Sequence, residues 1–112
     1  MSHLSPSSLR PLLNVINQVH DLSRKLKGTD QERRLGRNLR RISDSMEELG
    51  LSWHDPIGES YNETRTDCEA SIAGTETTDL VITETLKPII RIQEDGHLRI
   101  VQRAVVVVSQ RT

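Results

Sequence analysis

The stretch Gly50-Leu51-Ser52-Trp53-His54-Asp55-Pro56-Ile57-Gly58-Glu59-Ser60-Tyr61 divides the chain in two. Before it, apolar residues recur at helical spacing. Inside it, Asp55, Pro56 and Gly58 are turn residues, and after it come β-branched runs with no helical period. Gly50 is therefore read as the boundary between two kinds of structure.

Upstream, Leu12, Val15, Val19, Leu22 and Leu26 fall at steps of three, four, three and four, the seam of a packed helix. Ser8 is the expected N-cap, which would put Pro11 in the first turn, where a missing amide proton breaks no helical hydrogen bond. Gly28 suits the left-handed position that closes the helix. Leu9, Leu13 and Ile16 widen the stripe, so this helix should touch more than one neighbour. A second helix is expected from a cap at Thr29 or Asp30, with Gln31 and Glu32 in its first turn, where acidic groups suit the helix dipole. Its stripe is Leu35, Leu39, Ile42, Met46 and Leu49, ending at Gly50. Two helices alone leave outer apolar positions wet, and each buried Leu or Ile contributes about 1.5–3 kcal/mol. The ten seam residues are thus expected to pair two hairpins into a four-helix bundle.

Downstream, Ala70 to Ile72, Leu80 to Thr83, Ile89 to Gln93 and Leu98 to Val108 read as strands. Asp95-Gly96, between Glu94 and His97, supplies the positive φ angles of a hairpin turn. The unbroken apolar run Val105 to Val108 predicts a central strand covered on both faces. The expected fold class is α+β: a helical hairpin over residues 1–50 that dimerises, then a small all-β domain over residues 51–112 that binds a partner.

Composition narrows the function. Of 112 residues, 34% are hydrophobic and 28% charged, with a net charge of −1, which is globular rather than disordered. Trp53 and Tyr61 are the only aromatic residues, so the core rests on Leu, Ile and Val and is thin enough to favour oligomerisation. A single cysteine, Cys68, excludes an internal disulfide and reads as a small core residue. Met1 to Pro11 carries no basic flank leading into an apolar run, and no apolar stretch is long enough to cross a membrane, so a cytoplasmic protein is expected.

Catalytic and metal chemistry find little support. His3, His20, His54 and His97 are scattered without ligand spacing, and no metal or other cofactor is expected. His54 beside Asp55 resembles an oriented base, with Ser52 or Ser60 as nucleophile, but turns are ordinarily rich in these residues and no nucleophile elbow frames them. Arg33, Arg34, Arg37, Arg40 and Arg41 crowd the second helix, and charge divides into about +3 before Gly50 and about −4 after it. A basic track for nucleic acid is the lesser alternative to a solvated face paired with Asp44 and Glu48, because no aromatic platform accompanies the arginines.

Together these features resemble the GrpE family, nucleotide exchange factors of DnaK-type chaperones. Family members carry a glycine after the last bundle helix and then an Asp-Pro-Leu-Gly-Glu-Pro-Phe-like turn, matched here by Asp55, Pro56, Ile57, Gly58, Glu59, Ser60 and Tyr61. Arg99, Ile100, Val101, Ala104 and Val105 to Ser109 resemble the family's closing strand, and Leu12 to Val19 its first bundle helix. Gly36 lies near the family's glycine in the second helix. The sequence departs from the pattern in several places. It shows no counterpart of the long N-terminal helix, has Thr66 for a usual histidine, lacks a Pro-Gly over residues 74–79, and has Lys87-Pro88-Ile89 for Lys-Gly-Tyr. The resemblance implies a homodimer whose β-domain wedges against the nucleotide-binding domain of a DnaK-type chaperone, with Tyr61, Arg99 and Val108 facing it. It implies no covalent chemistry. A divergent dimerisation or adaptor module without exchange activity is the alternative.

Overall fold

The computed structural model describes residues 5–112. Helix α1 runs Pro6–Leu26 and α2 runs Glu32–Glu48. The cap of α1 is Ser5, not Ser8: its Oγ accepts the Ser8 amide at 3.2 Å, and Pro6 follows at the first helical position. A serine cap with proline behind it is the stronger start signal, since the missing amide is one the helix does not use. Pro11 therefore lies inside the helix. Its ring is exposed, as is Ser7 one turn earlier, so water can serve the carbonyl that loses its helical donor. Gly28 closes α1 at φ +80° as expected. Thr29 does not cap α2; its hydroxyl donates to the Leu26 carbonyl at 2.6 Å and finishes α1 instead. Gln31 precedes α2 without a side-chain cap, and Glu32 Oε1 accepts the Gly28 amide at 3.0 Å.

Seven strands follow in two sheets. β1 (Leu51–His54), β5 (Ile89–Glu94) and β6 (His97–Gln102) form an antiparallel sheet in the order β1-β5-β6. β2 (Ser60–Tyr61), β3 (Cys68–Ile72), β4 (Leu80–Lys87) and β7 (Ala104–Gln110) form the other, in the order β2-β4-β7-β3, with β3 and β7 parallel. Leu98 to Val108, read as one strand, breaks at Arg103 and supplies one strand to each sheet. The chain makes the same change at Pro88, which has no amide proton to continue a ladder. The two corners are tied together, since Gln102 Nε2 donates to the Pro88 carbonyl at 2.9 Å. Strands that switch sheets at corners are a recognised way to stack two small sheets.

The packing forms two clusters. Cys68, Leu80, Ile82, Ile89, Ala104, Val106 and Val108 fill the four-stranded side, with Tyr61 and Ala70 against them. Ile16, Leu51, Ile90 and Ile92 fill the other, joined by Leu9, Leu12, Leu13, Met46, Trp53 and Val101. Helix α1 thus lies on the three-stranded sheet, and the structures on either side of Gly50 share one core. β7 is central in its sheet, but burial alternates along it, with Ala104, Val106 and Val108 inside and Val105, Val107 and Ser109 half-buried. The run Val105 to Val108 is therefore covered on one face, not two.

Gly50 makes the join possible. Its φ of +87° ends α2, its carbonyl accepts the Gln93 amide at 2.7 Å, and a Cβ there would stand 3.0 Å from the Gln93 carbonyl oxygen. Any side chain would be strained and crowded at once.

Candidate functional site

Three regions carry the sequence's candidate residues: the helical seam, the turn after β1, and the β-strand positions taken as partner-facing. Along the seam, Val19 is buried, while Leu12, Leu26, Leu35, Leu39, Met46 and Leu49 are half-buried. Leu12 and Met46 turn onto the three-stranded sheet, together with the stripe-widening Leu9, Leu13 and Ile16. The opposite face stays open: Val15, Leu22 and Ile42 remain 40%, 47% and 36% exposed. With Val19 and Leu39 they line a groove of about 450 Å³ between the helices, rimmed by Asn14, Gln18, Asp21 and Lys25. An apolar groove with a polar rim is the form of an association surface.

The turn holds itself in shape. Asp55 Oδ1 accepts the Ile57 amide at 3.0 Å, Pro56 is buried, and Gly58, at φ +85°, sends its amide to the Ile82 carbonyl at 2.8 Å. Ile82 returns its amide to the Glu59 carbonyl at 2.9 Å. Glu59 meets His54 and lies 2.7 Å from Arg65, whose Nε reaches Asp67 at 2.7 Å. Burial pushes the Glu59 carboxyl up, but Arg65 and His54 outweigh it and hold it below its ordinary value. Arg65 does the same for Asp67 against a smaller effect of burial. Asp55, Pro56, Gly58 and Glu59 thus each have a fold-building task, while the Ile57 side chain is exposed.

His54 and Asp55 form no base pair of their own. His54 turns to Glu59, and Asp55 Oδ2 lies 3.0 Å from Nε2 of His20, a buried side chain on α1. Burial pushes the Asp55 carboxyl up, while the Thr85 hydroxyl, His20 and the Ile57 amide together bring it below its ordinary value. The Thr85 hydroxyl oxygen lies buried without a partner of good hydrogen-bonding geometry, as does His20 Nδ1. Arg24 adds a bond of 2.8 Å to the Thr85 carbonyl, and Asn17 exchanges two with Gln102, at 2.9 and 2.8 Å. These polar contacts fasten α1 to the β-strands. Sequence spacing could not pair His20 with Asp55, because the contact is made through the tertiary fold. Ser60, the other drafted nucleophile, receives Arg111 Nη2 at 2.9 Å.

The three partner-facing positions are not brought together in one sheet. Tyr61 is half-buried on β2 against the four-stranded core. Arg99 stands on β6 in the other sheet, exposed and 3.1 Å from Glu94. Val108 is corrected to a core residue: it is fully buried on β7, where inward alternation leaves its side chain no surface to offer. Cys68 is buried as expected, and burial pushes its thiol up to about 11.

On α2, Arg33, Arg37 and Arg40 surround a recess at Gly36 with Ser23 and Leu26. Arg34 bonds to Gln31. Among the described residues, no ion pair joins these arginines to Asp44 or Glu48. Nor is any group of three or more His, Cys, Asp or Glu side chains placed to hold a metal there; His3 lies outside that range. Among the described residues, no helix is long and apolar enough to cross a membrane. Comparison with protein-family models, curated proteins and solved structures returns no match.

Proposed function

We propose that this chain acts as a GrpE-like, non-enzymatic homodimer that binds the nucleotide-binding domain of a DnaK-type chaperone and promotes ADP release. The observation that carries this reading is the order of parts: a helical hairpin, Gly50, the turn Asp55 to Tyr61, and a two-sheet β-unit closed by β7. The open groove around Val15, Leu22 and Ile42 supports the dimer, because a second hairpin laid on it completes a four-helix bundle. A partner that binds the open nucleotide cleft better than the closed one must weaken nucleotide binding by the same factor, since coupling between two ligands is reciprocal.

Release of a fluorescent ADP analogue from the nucleotide-binding domain of the host's DnaK-type chaperones tests the activity. Acceleration is expected. Unchanged release with every host chaperone would reject exchange and favour the second reading, a dimeric adaptor for another partner. The burial of Val108 favours that second reading, since it removes one of the three carried-over contacts. Arg99→Ala should weaken chaperone binding with an unchanged melting curve, because Arg99 is exposed and, among the described residues, pairs with Glu94 at the surface.

A further inference from the structure

Among the described residues, strand β6 ends its sheet, and one of its sides has no partner strand. Its register with β5 decides which backbone groups that leaves free. Asp95 and Gly96 make a two-residue turn, so Glu94 and His97 exchange both backbone hydrogen bonds. Antiparallel ladders alternate bonded and non-bonded pairs, which makes Ile92 and Arg99 the next bonded pair. Leu98 and Ile100 occupy the non-bonded positions opposite Gln93 and Arg91, and their amide and carbonyl groups point to the open side. Ile92, paired with Arg99, faces the core under α1, so Leu98 and Ile100 lie on the outer face. Leu98 is 64% exposed and Ile100 37%.

A row of free backbone donors and acceptors beside outward apolar side chains is what a strand-adding peptide reads. The surrounding charge specifies the peptide further. Arg99, between Leu98 and Ile100 on the other face of β6, is 61% exposed and lies 3.1 Å from Glu94, so an acid that alternates with the apolar residues of an added strand would stand beside it. At the far end of β6, Lys87 and Arg103 border a recess with Ile100, Val101 and Val105; its carboxylate, Glu69, lies 3.3 Å from Arg103. The edge is held ready, because Gln102 is bonded to both Asn17 and the Pro88 carbonyl. A second copy of the same strand is a poor occupant, since antiparallel pairing centred on Leu98 would set Arg99 against His97, and pairing centred on Arg99 would set it against its own copy.

We propose that the β6 edge binds an extended segment of a partner protein in which apolar residues alternate with Asp or Glu, taken up as a fourth strand through the backbone of Leu98 and Ile100. This inference goes beyond the chaperone reading and stands without it.

The test titrates the full chain with labelled synthetic peptides of about eight residues. One alternates Val with Glu, one Val with Lys, and one repeats the Val-Glu sequence with its β6-facing amides N-methylated. The Val-Glu peptide should bind at least about ten-fold more tightly than its Lys counterpart at low salt, and N-methylation should abolish binding. Binding should also slow hydrogen exchange at the Leu98 and Ile100 amides, which the free protein leaves open to water. Leu98→Asp should weaken binding by a similar factor with an unchanged melting curve. Equal affinity for the N-methylated peptide, exchange protection confined to another edge or to the helical groove, or self-pairing through β6 would each overturn the proposal.

Discussion

Helices α1 and α2 carry the same alternation of three and four between apolar positions, yet they meet different fates. α1 buries Ile16, Val19 and His20, while α2 leaves every residue at least partly exposed. The difference comes from the residues beside the seam. Leu9, Leu13 and Ile16 give α1 a second apolar face that fits the three-stranded sheet, whereas α2 has Gly36, Arg40, Ser43 and Glu47 along the matching face. Heptad spacing thus marks a helix as packed, and the flanking positions decide what it packs on.

The sharpest way to break this contrast is truncation on each helix. Ile16→Ala should cost about 2–5 kcal/mol, because it opens a cavity between α1 and the sheet, while Leu39→Ala should cost well under half as much. Chemical denaturation measures both, and equal losses would remove the distinction.

The polar joint of α1 comes next. His20→Ala leaves Asp55 partly buried without that partner and should cost about 1–3 kcal/mol. The carboxyl of Asp55 is held below its ordinary value of 3.8, so its contribution is fully present above that value and is lost as pH falls through the lower folded one. Stability measured down an acid series should therefore fall less steeply in Asp55→Asn than in the parent.

On the open groove the effect should be on association. Ile42→Asp should change the stability of the folded monomer by about 0.5 kcal/mol or less and yet dissociate the dimer in light scattering. A parent protein that is already monomeric would end the bundle reading. The smallest effect belongs to the arginines: Arg37→Ala should leave stability within about 0.5 kcal/mol. It matters for partners only if the parent binds nucleic acid with a steep salt dependence, which a mobility assay at low salt would reveal.

Much of this architecture was legible along the chain, because helices, turns and alternation are written in local spacing. The two helices, the closures at Gly28 and Gly50, the hairpin at Asp95-Gly96 and the strand segments all rest on neighbours a few residues apart. β1 and β2 do not stand out in the sequence, because Leu51 to His54 and Ser60 to Tyr61 are short and sit among turn residues. The break at Arg103 is not legible either, because that single charged residue interrupts no hydrophobic pattern strongly enough to announce a change of sheet. The functional positions fared differently. Arg99 is on the surface, whereas Val108 is in the core, and the local sequence around Val105 to Val108 does not say which face a second layer will cover. His20 with Asp55, and the free edge of β6, arise only when distant segments meet.

The bond between Asn17 and Gln102 joins residues 85 positions apart, and Ile16 finds its neighbours on β5, late in the chain. Contacts of such long range are expensive in loop entropy and form late. During synthesis, α1 must therefore wait, with its sheet-facing apolar side uncovered, until β5 and β6 have emerged. A protein built this way gains its first helix's packing last, and its folding rate should be set by the arrival of β5 and β6 rather than by the speed of either helix.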